Sequence, residues 1–222
     1  MSNQHDTQTR GLFLSFEGVD GSGKSTQAAL LAKALAERGV AVELLREPGG
    51  TALGERLREV LLSRSEMAIG TASELLLFSA ARAQLLEERI RPALAVGTVV
   101  ILDRFCDSTF AYQGYGRSLP EGFLEALETW VVGADQPDRT WLLDVPPEVS
   151  RERRQIRGEA PDRFESEAEA FRERVRSGYL ERARRFPLRI CTLDGTLTEA
   201  ELSQRILEQL EPMLGGARRE MV

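Results

Sequence analysis

The sequence predicts an α/β protein: a parallel sheet with helices on both faces. Three observations carry this expectation. Apolar runs at Leu12–Phe16, Val40–Leu45, Val99–Leu102, Thr140–Leu143 and Leu188–Leu193 alternate with longer helical patterns. Three of these runs are nearly continuous in apolar residues, as strands covered on both faces are. A glycine-rich turn, Gly18-Val19-Asp20-Gly21-Ser22-Gly23-Lys24-Ser25-Thr26, joins the first run to the first helical stretch. Strand, glycine-rich turn and helix are the context that G-x-x-x-x-G-K-[ST] requires.

Helical patterns cover Lys24–Arg38, Ala52–Ser63, Thr71–Val96, Pro120–Val132, Pro147–Gln155, Glu167–Arg185 and Glu199–Leu210. Gly39 and Gly97 stand where the first and third should stop. Thr198, with Glu201 three residues later, spells a capping box at the start of the last. The charged stretch Arg151–Arg163, broken by Gly158 and Pro161, departs from the alternation. It reads either as a solvated helix end and turn or as a mobile flap that carries arginines. Met1–Arg10 is polar and lacks the apolar core of a leader peptide, so a disordered tail is expected over residues 1–10. A single domain is expected over 11–213, with the flap at about 151–169, and a loose tail over 214–222.

Composition excludes several classes of function. The chain has 222 residues, with 29 Lys+Arg against 35 Asp+Glu and a net charge of −6. That balance gives no general pull toward nucleic acid, and the arginines are expected in local clusters. No apolar stretch approaches a membrane span, so no membrane partner is expected. Cys106 and Cys191 show no metal-site spacing and are expected as buried free thiols in a reducing cytoplasm. The single histidine, His5, lies in the tail, which argues against histidine acid–base catalysis and histidine-ligated zinc.

The turn from Gly18 to Thr26 binds phosphate for physical reasons. Glycines let backbone N–H groups close on phosphate oxygens, and the helix N-terminus adds a partial positive charge. Lys24 would reach the β- and γ-phosphates, and the Ser25 hydroxyl would ligate Mg²⁺. Arg46-Glu47-Pro48-Gly49-Gly50-Thr51 follows the second strand, where ligands bind in open parallel sheets. It is either a second anion site built on Arg46 or a turn with an exposed arginine. Val99-Val100-Ile101-Leu102-Asp103 ends four apolar residues in a carboxylate that could act at Mg²⁺ through water. Arg104 would project from the same edge as Arg46, and two arginines suit a dianionic phosphate. Phe78 and Arg82 share one helix face. Phe78 is either core or a ring that stacks on a base whose edge Arg82 bonds. Ser108, Tyr112 and Gln113 add polar groups after Asp103.

Four motifs in order resemble the thymidylate kinase family over residues 11–211: Phe16–Thr26, Arg46–Thr51, Leu77–Gln84, and Asp103-Arg104-Phe105 through Ser108 to Ala111-Tyr112-Gln113. The resemblance implies the nucleoside monophosphate kinase version of the P-loop fold, a five-stranded parallel sheet of order 2-3-1-4-5 with a lid. It implies phosphoryl transfer from MgATP to dTMP, in a cytoplasmic homodimer. Phe78 would stack on thymine, with Arg82, Ser108 and Gln113 at its edge and Pro48 beside them. Tyr112 would crowd the sugar C2′, and Asp20 would contact the 3′-hydroxyl or the metal region. Arg46 and Arg104 would hold the acceptor phosphate. Asp162 and Glu165 match lid acids, Glu165 near the metal, and Asp194, Gly195 and Thr196 match a loop beside adenine. Some members carry a catalytic arginine inside the P-loop. Here Val19–Ser22 contains none, and Arg151, Arg153, Arg154 and Arg157 gather in the lid instead. This resembles the bacterial class with lid arginines, and Arg157 is the first choice for the catalytic cation, with Arg153 second. Another nucleoside or nucleotide kinase on the same fold, and a nucleotide-dependent switch or ATPase module, are the alternatives.

Overall fold

In a computed structural model of the chain, the described residues are 10–63, 68–157, 163–164 and 167–218. The strands are β1 (Phe13–Glu17), β2 (Val42–Arg46), β3 (Val99–Asp103), β4 (Arg139–Asp144) and β5 (Ile190–Asp194). All neighbours pair in parallel, in the order β2-β3-β1-β4-β5. The central position of β1 follows from its composition, because every residue of Phe13–Glu17 is buried. Side chains alternate between the two faces. Leu14, Phe16, Ile101 and Trp141 pack with Leu31 and Leu35 of α1 (Lys24–Glu37) and Leu202 and Ile206 of α9 (Glu199–Arg218). Phe13, Val100 and Leu102 face the other way, toward Leu85, Leu86 and Ile90. The parallel register brings the C-terminal ends of β1 and β3 side by side, with Phe16 paired to Asp103. That edge carries the site.

The remaining helices are α2 (Ala52–Leu62), α3 (Thr71–Leu85), α4 (Arg91–Ala95), α5 (Cys106–Thr109), α6 (Glu121–Val131), α7 (Pro147–Arg157) and α8 (Glu169–Arg185). The capping box forms: the Thr198 N–H donates to Glu201 at 2.9 Å, and the Glu201 N–H donates to Thr198 Oγ1 at 3.3 Å.

Four features depart from expectation, and a fifth falls where no element was expected. The pattern Thr71–Val96 is not one regular helix: a π turn at Leu86–Ile90 separates α3 from α4. Pro92 explains it, since it cannot donate to a preceding carbonyl and its ring crowds the turn before it. The stretch after β3 is helical, first α5 and then a π segment at Phe110–Gly116. Its run Thr109-Phe110-Ala111-Tyr112 has strand-like propensity, and packing against α8 overrides it. Helix α7 continues past Gln155 to Arg157. Helix α9 runs past Leu210, through Pro212, to Arg218. Met213 and Leu214 pack on the core there, which offsets the hydrogen bond Pro212 cannot make. Cys106 is buried, but Cys191 is only partly so; both are free thiols.

Candidate active site

The P-loop begins where β1 ends. Gly18, at φ 142°, has no room for a side chain: a Cβ would lie 2.6 Å from the Leu143 carbonyl oxygen. Gly23, at φ 96°, delivers the chain into α1, so the first helical residue is Lys24. Lys24 is buried, and its Nζ donates to the Val19 carbonyl at 3.4 Å and lies 3.6 Å from Asp20 Oδ1. Burial and the nearby Arg104 charge lower its pKa. Ser25 and Thr26 are exposed, Gly21 and Gly23 half-buried, and Val19 and Ser22 buried.

The Ser25 hydroxyl donates to Asp103 Oδ2 at 2.5 Å, joining the P-loop to the end of β3. Asp103 Oδ1 is buried and has no hydrogen-bond partner. A hydroxyl, a carboxylate and an orphaned carboxylate oxygen beside a phosphate loop fit Mg²⁺, which is held by one or two protein oxygens plus phosphates and water. Among the described residues no cluster of three or more His, Cys, Asp or Glu side chains forms a protein-only cage.

One cavity of about 310 Å³ runs from this point. Asp20, Lys24, Ser25, Asp103 and Arg104 line its donor end. Arg46, Pro48, Phe78, Arg82, Ser108, Tyr112 and Gln113 line the rest, so the expected acceptor residues all reach one space. Tyr112 and Phe78 form an aromatic box with Phe164: its ring lies 5.6 Å from Tyr112, edge-on, and 5.9 Å from Phe78. Phe78 is half-buried, packed against the core on one side and open to the cavity on the other.

Several polar groups already have partners. Arg82 donates to Glu47 Oε2 at 2.8 Å, Thr109 Oγ1 at 2.9 Å and the Phe105 carbonyl at 3.2 Å. Gln113 Nε2 donates to the buried Glu74 at 2.9 Å. Arg46 donates to Glu55 at 3.0 Å and stays exposed. Asp20 Oδ1 accepts from Arg104 Nη2 at 2.5 Å, and Oδ2 accepts from the Tyr112 hydroxyl at 3.2 Å. Burial alone would raise the Asp20 pKa, but Arg104 and Lys24 outweigh it and hold the carboxyl well below the usual range. The donor end therefore sets two fixed cations around one fixed anion.

The lid arginines divide. Arg153 Nη1 donates to the Gly195 carbonyl at 2.8 Å and lies 3.5 Å from the carbonyls of Gly21 and Ser22. It braces the loop Asp194-Gly195-Thr196 against the P-loop. Asp194 in turn accepts from the Thr196 N–H at 2.9 Å and its hydroxyl at 2.6 Å. Arg154 donates to the Ser150 carbonyl at 3.3 Å, and Arg151 to Glu169 at 3.1 Å. Arg157 closes α7, and its side chain lies outside the described residues, as do Asp162 and Glu165.

Three further residues take part in the site. Phe164 stands between the acids of Asp162-Arg163-Phe164-Glu165. Glu47 lines the cavity with its Oε1 buried and unpartnered. Glu17, the last residue of β1, is buried and accepts from the N–H of Phe105 at 2.7 Å and the Ser108 hydroxyl at 2.6 Å. Burial first, then the charge of Asp107, pushes the Glu17 pKa up to about 7. Between about 4.5 and 7 the folded state holds a proton that the unfolded chain has released, so stability falls as pH rises through that window. The loss attributable to Glu17 is at most about 3 kcal/mol. Urea denaturation at pH 5 and pH 8 should show it, and Glu17→Gln should flatten the difference.

Comparison with known proteins agrees with this geometry. The family model described as thymidylate kinase matches residues 16–206. A thymidylate kinase of Pseudomonas syringae pv. syringae is 51% identical over 204 residues, covering 92% of this chain and 96% of that protein. One of Alkalilimnicola ehrlichii is 46% identical over 209 residues, covering 94% of each. The crystal structure of thymidylate kinase from Ehrlichia chaffeensis superposes with a TM-score of 0.73 at 34% identity, covering 90% of this chain and 99% of that one.

Proposed function

Because the chain belongs to the thymidylate kinase family, we infer that it transfers the γ-phosphoryl group of ATP to dTMP, giving dTDP and ADP. The product feeds dTTP and so DNA synthesis. The observation that carries this reading is the single cavity, with Lys24 and Ser25 at one end, Phe78, Tyr112 and Phe164 at the other, and Arg104 between them.

The residues divide the work. Backbone N–H groups of Gly18–Thr26 and the Lys24 ammonium hold the donor phosphates. Mg²⁺, carried in with ATP and held by Ser25 and, through water, by Asp103, would neutralise charge on the β- and γ-oxygens. Asp20 and Glu165 are further candidates near it. Arg104 and Arg46 hold the acceptor phosphate, which is largely dianionic near neutrality because its second pKa is about 6. It needs no protein base to become a nucleophile. Charge neutralisation and in-line positioning are the remaining tasks, and a lid arginine, Arg157 ahead of Arg153, completes them. Lid closure excludes water and limits wasteful hydrolysis.

Phe78 stacks on thymine, Tyr112 crowds C2′ of the sugar, and Asp20 approaches the 3′-hydroxyl. Arg82 and Gln113 read the base edge from positions set by Glu47 and Glu74. Phe78→Ala should therefore weaken dTMP binding roughly tenfold or more and leave ATP binding near normal. Calorimetric titration with each nucleotide checks this; equal loss of both would make Phe78 a core residue.

We place the enzyme in the cytoplasm as a homodimer. No helix among the described residues is long and apolar enough to cross a membrane. Five of the exposed large apolar side chains lie on three helices that pack together: Leu53 and Val60 on α2, Leu76 on α3, and Phe123 and Trp130 on α6. Helix α3 packs against both of the others. Trp130, 84% exposed, is the strongest argument for a covering partner.

The test is ADP release from ATP with a panel of nucleosides and monophosphates. Strong stimulation by dTMP alone supports the reading. Stimulation by thymidine, or turnover without an acceptor, would sink it.

A further inference from the structure

Arg104 is one of two non-glycine residues among those described with positive φ, at 71°. A left-handed backbone at an arginine is strained and persists only where its surroundings fix it. Two buried residues outside the cavity wall do so. Arg104 Nη1 donates to the Tyr179 hydroxyl oxygen at 2.8 Å. The Tyr179 and Ser108 hydroxyls lie 2.8 Å apart, and the Ser108 hydroxyl lies 2.6 Å from Glu17 Oε2. Hydrogen-bonding capacity gives this chain one direction. A guanidinium only donates, and the Glu17 carboxylate, once ionised above its raised pKa of about 7, only accepts. In that form Ser108 gives its one proton to Glu17, Tyr179 gives its proton to Ser108, and Tyr179 is left to accept from Arg104. The other Glu17 oxygen accepts from the N–H groups of Phe105 and Ser108, at 2.7 and 3.3 Å, and so pins the backbone directly after Arg104.

We propose that Tyr179 and Glu17 are positioning residues for Arg104, a directed hydrogen-bond relay that aims its guanidinium at the acceptor phosphate. The relay crosses the fold from β1 to α8, elements distant in sequence. It also changes the role of Ser108: with Glu17 ionised its proton is spent on Glu17, so toward a base it can only accept. Tyr179 is 2% and Glu17 1% exposed, and neither touches the cavity, so both act through Arg104.

The proposal rests on the reading of Arg104 as holder of the dTMP phosphate, and the experiment separates the two. Tyr179→Phe keeps the ring that packs with Val175 and Phe171 but deletes the relay hydroxyl. Binding of dTMP and of thymidine, which lacks the phosphate, is measured by calorimetry on the full-length wild type, Tyr179→Phe, Glu17→Gln and Arg104→Ala, with thermal melting as the folding check. Tyr179→Phe is expected to weaken dTMP about tenfold and thymidine less than about twofold, the loss of one charge-assisted bond. Glu17→Gln should give the same selective loss even if one of the two variants folds poorly. Equal losses for dTMP and thymidine, or no loss for either, would overturn the relay while Arg104→Ala still weakens dTMP. If Arg104→Ala leaves dTMP binding intact, the reading of Arg104 falls, and the relay with it.

Discussion

Arg157→Ala is expected to lower kcat by about 10³-fold or more, while dTMP affinity stays within about twofold. The reason is charge. Two anions must approach in line, and the P-loop supplies Lys24 but no arginine among Val19–Ser22. The proposed mechanism takes the missing cation from α7. Arg153 is committed to the carbonyl of Gly195, and Arg154 bonds that of Ser150, which favours Arg157 for the transferring group. Single-turnover kinetics with saturating ATP and dTMP separates chemistry from binding. An unchanged kcat would transfer the role to Arg153 or Arg154.

Arg104→Ala should lower kcat/KM for dTMP by about 10²–10³-fold, the usual cost of removing one preorganised donor from a transition-state site. It also leaves the half-buried Asp20 with Lys24 alone of the two cations that face it. Arg104→Lys should recover only part of the loss, since an ammonium cannot reproduce the fork that reaches Asp20 and Tyr179 together. Steady-state kinetics with varied dTMP at fixed ATP reads both variants. Equal loss in KM for ATP would argue that Arg104 serves the donor half instead.

The parallel sheet was legible because apolar runs alternate with helices at a spacing that leaves few other arrangements. The P-loop, Asp103 and Arg104 were legible because phosphate chemistry constrains neighbours in sequence. What escaped was long-range. Nothing local around Tyr179, in the charged helix Glu169–Arg185, marks it as a partner of Arg104 some 75 positions away. Glu17 reads as the flank of a glycine-rich loop until β3 is laid beside β1. Phe164 was hidden by the acids around it. The π turn at Leu86–Ile90 depended on one proline in an otherwise unbroken pattern.

One cavity joins the phosphate loop to the proposed dTMP site. Incubation with ATP labelled in the γ-phosphate and unlabelled dTMP, followed by separation of the nucleotides, tests it most directly. Label is expected in dTDP, with little in inorganic phosphate. Label in dTMP when thymidine is offered, or in inorganic phosphate regardless of acceptor, would contradict it.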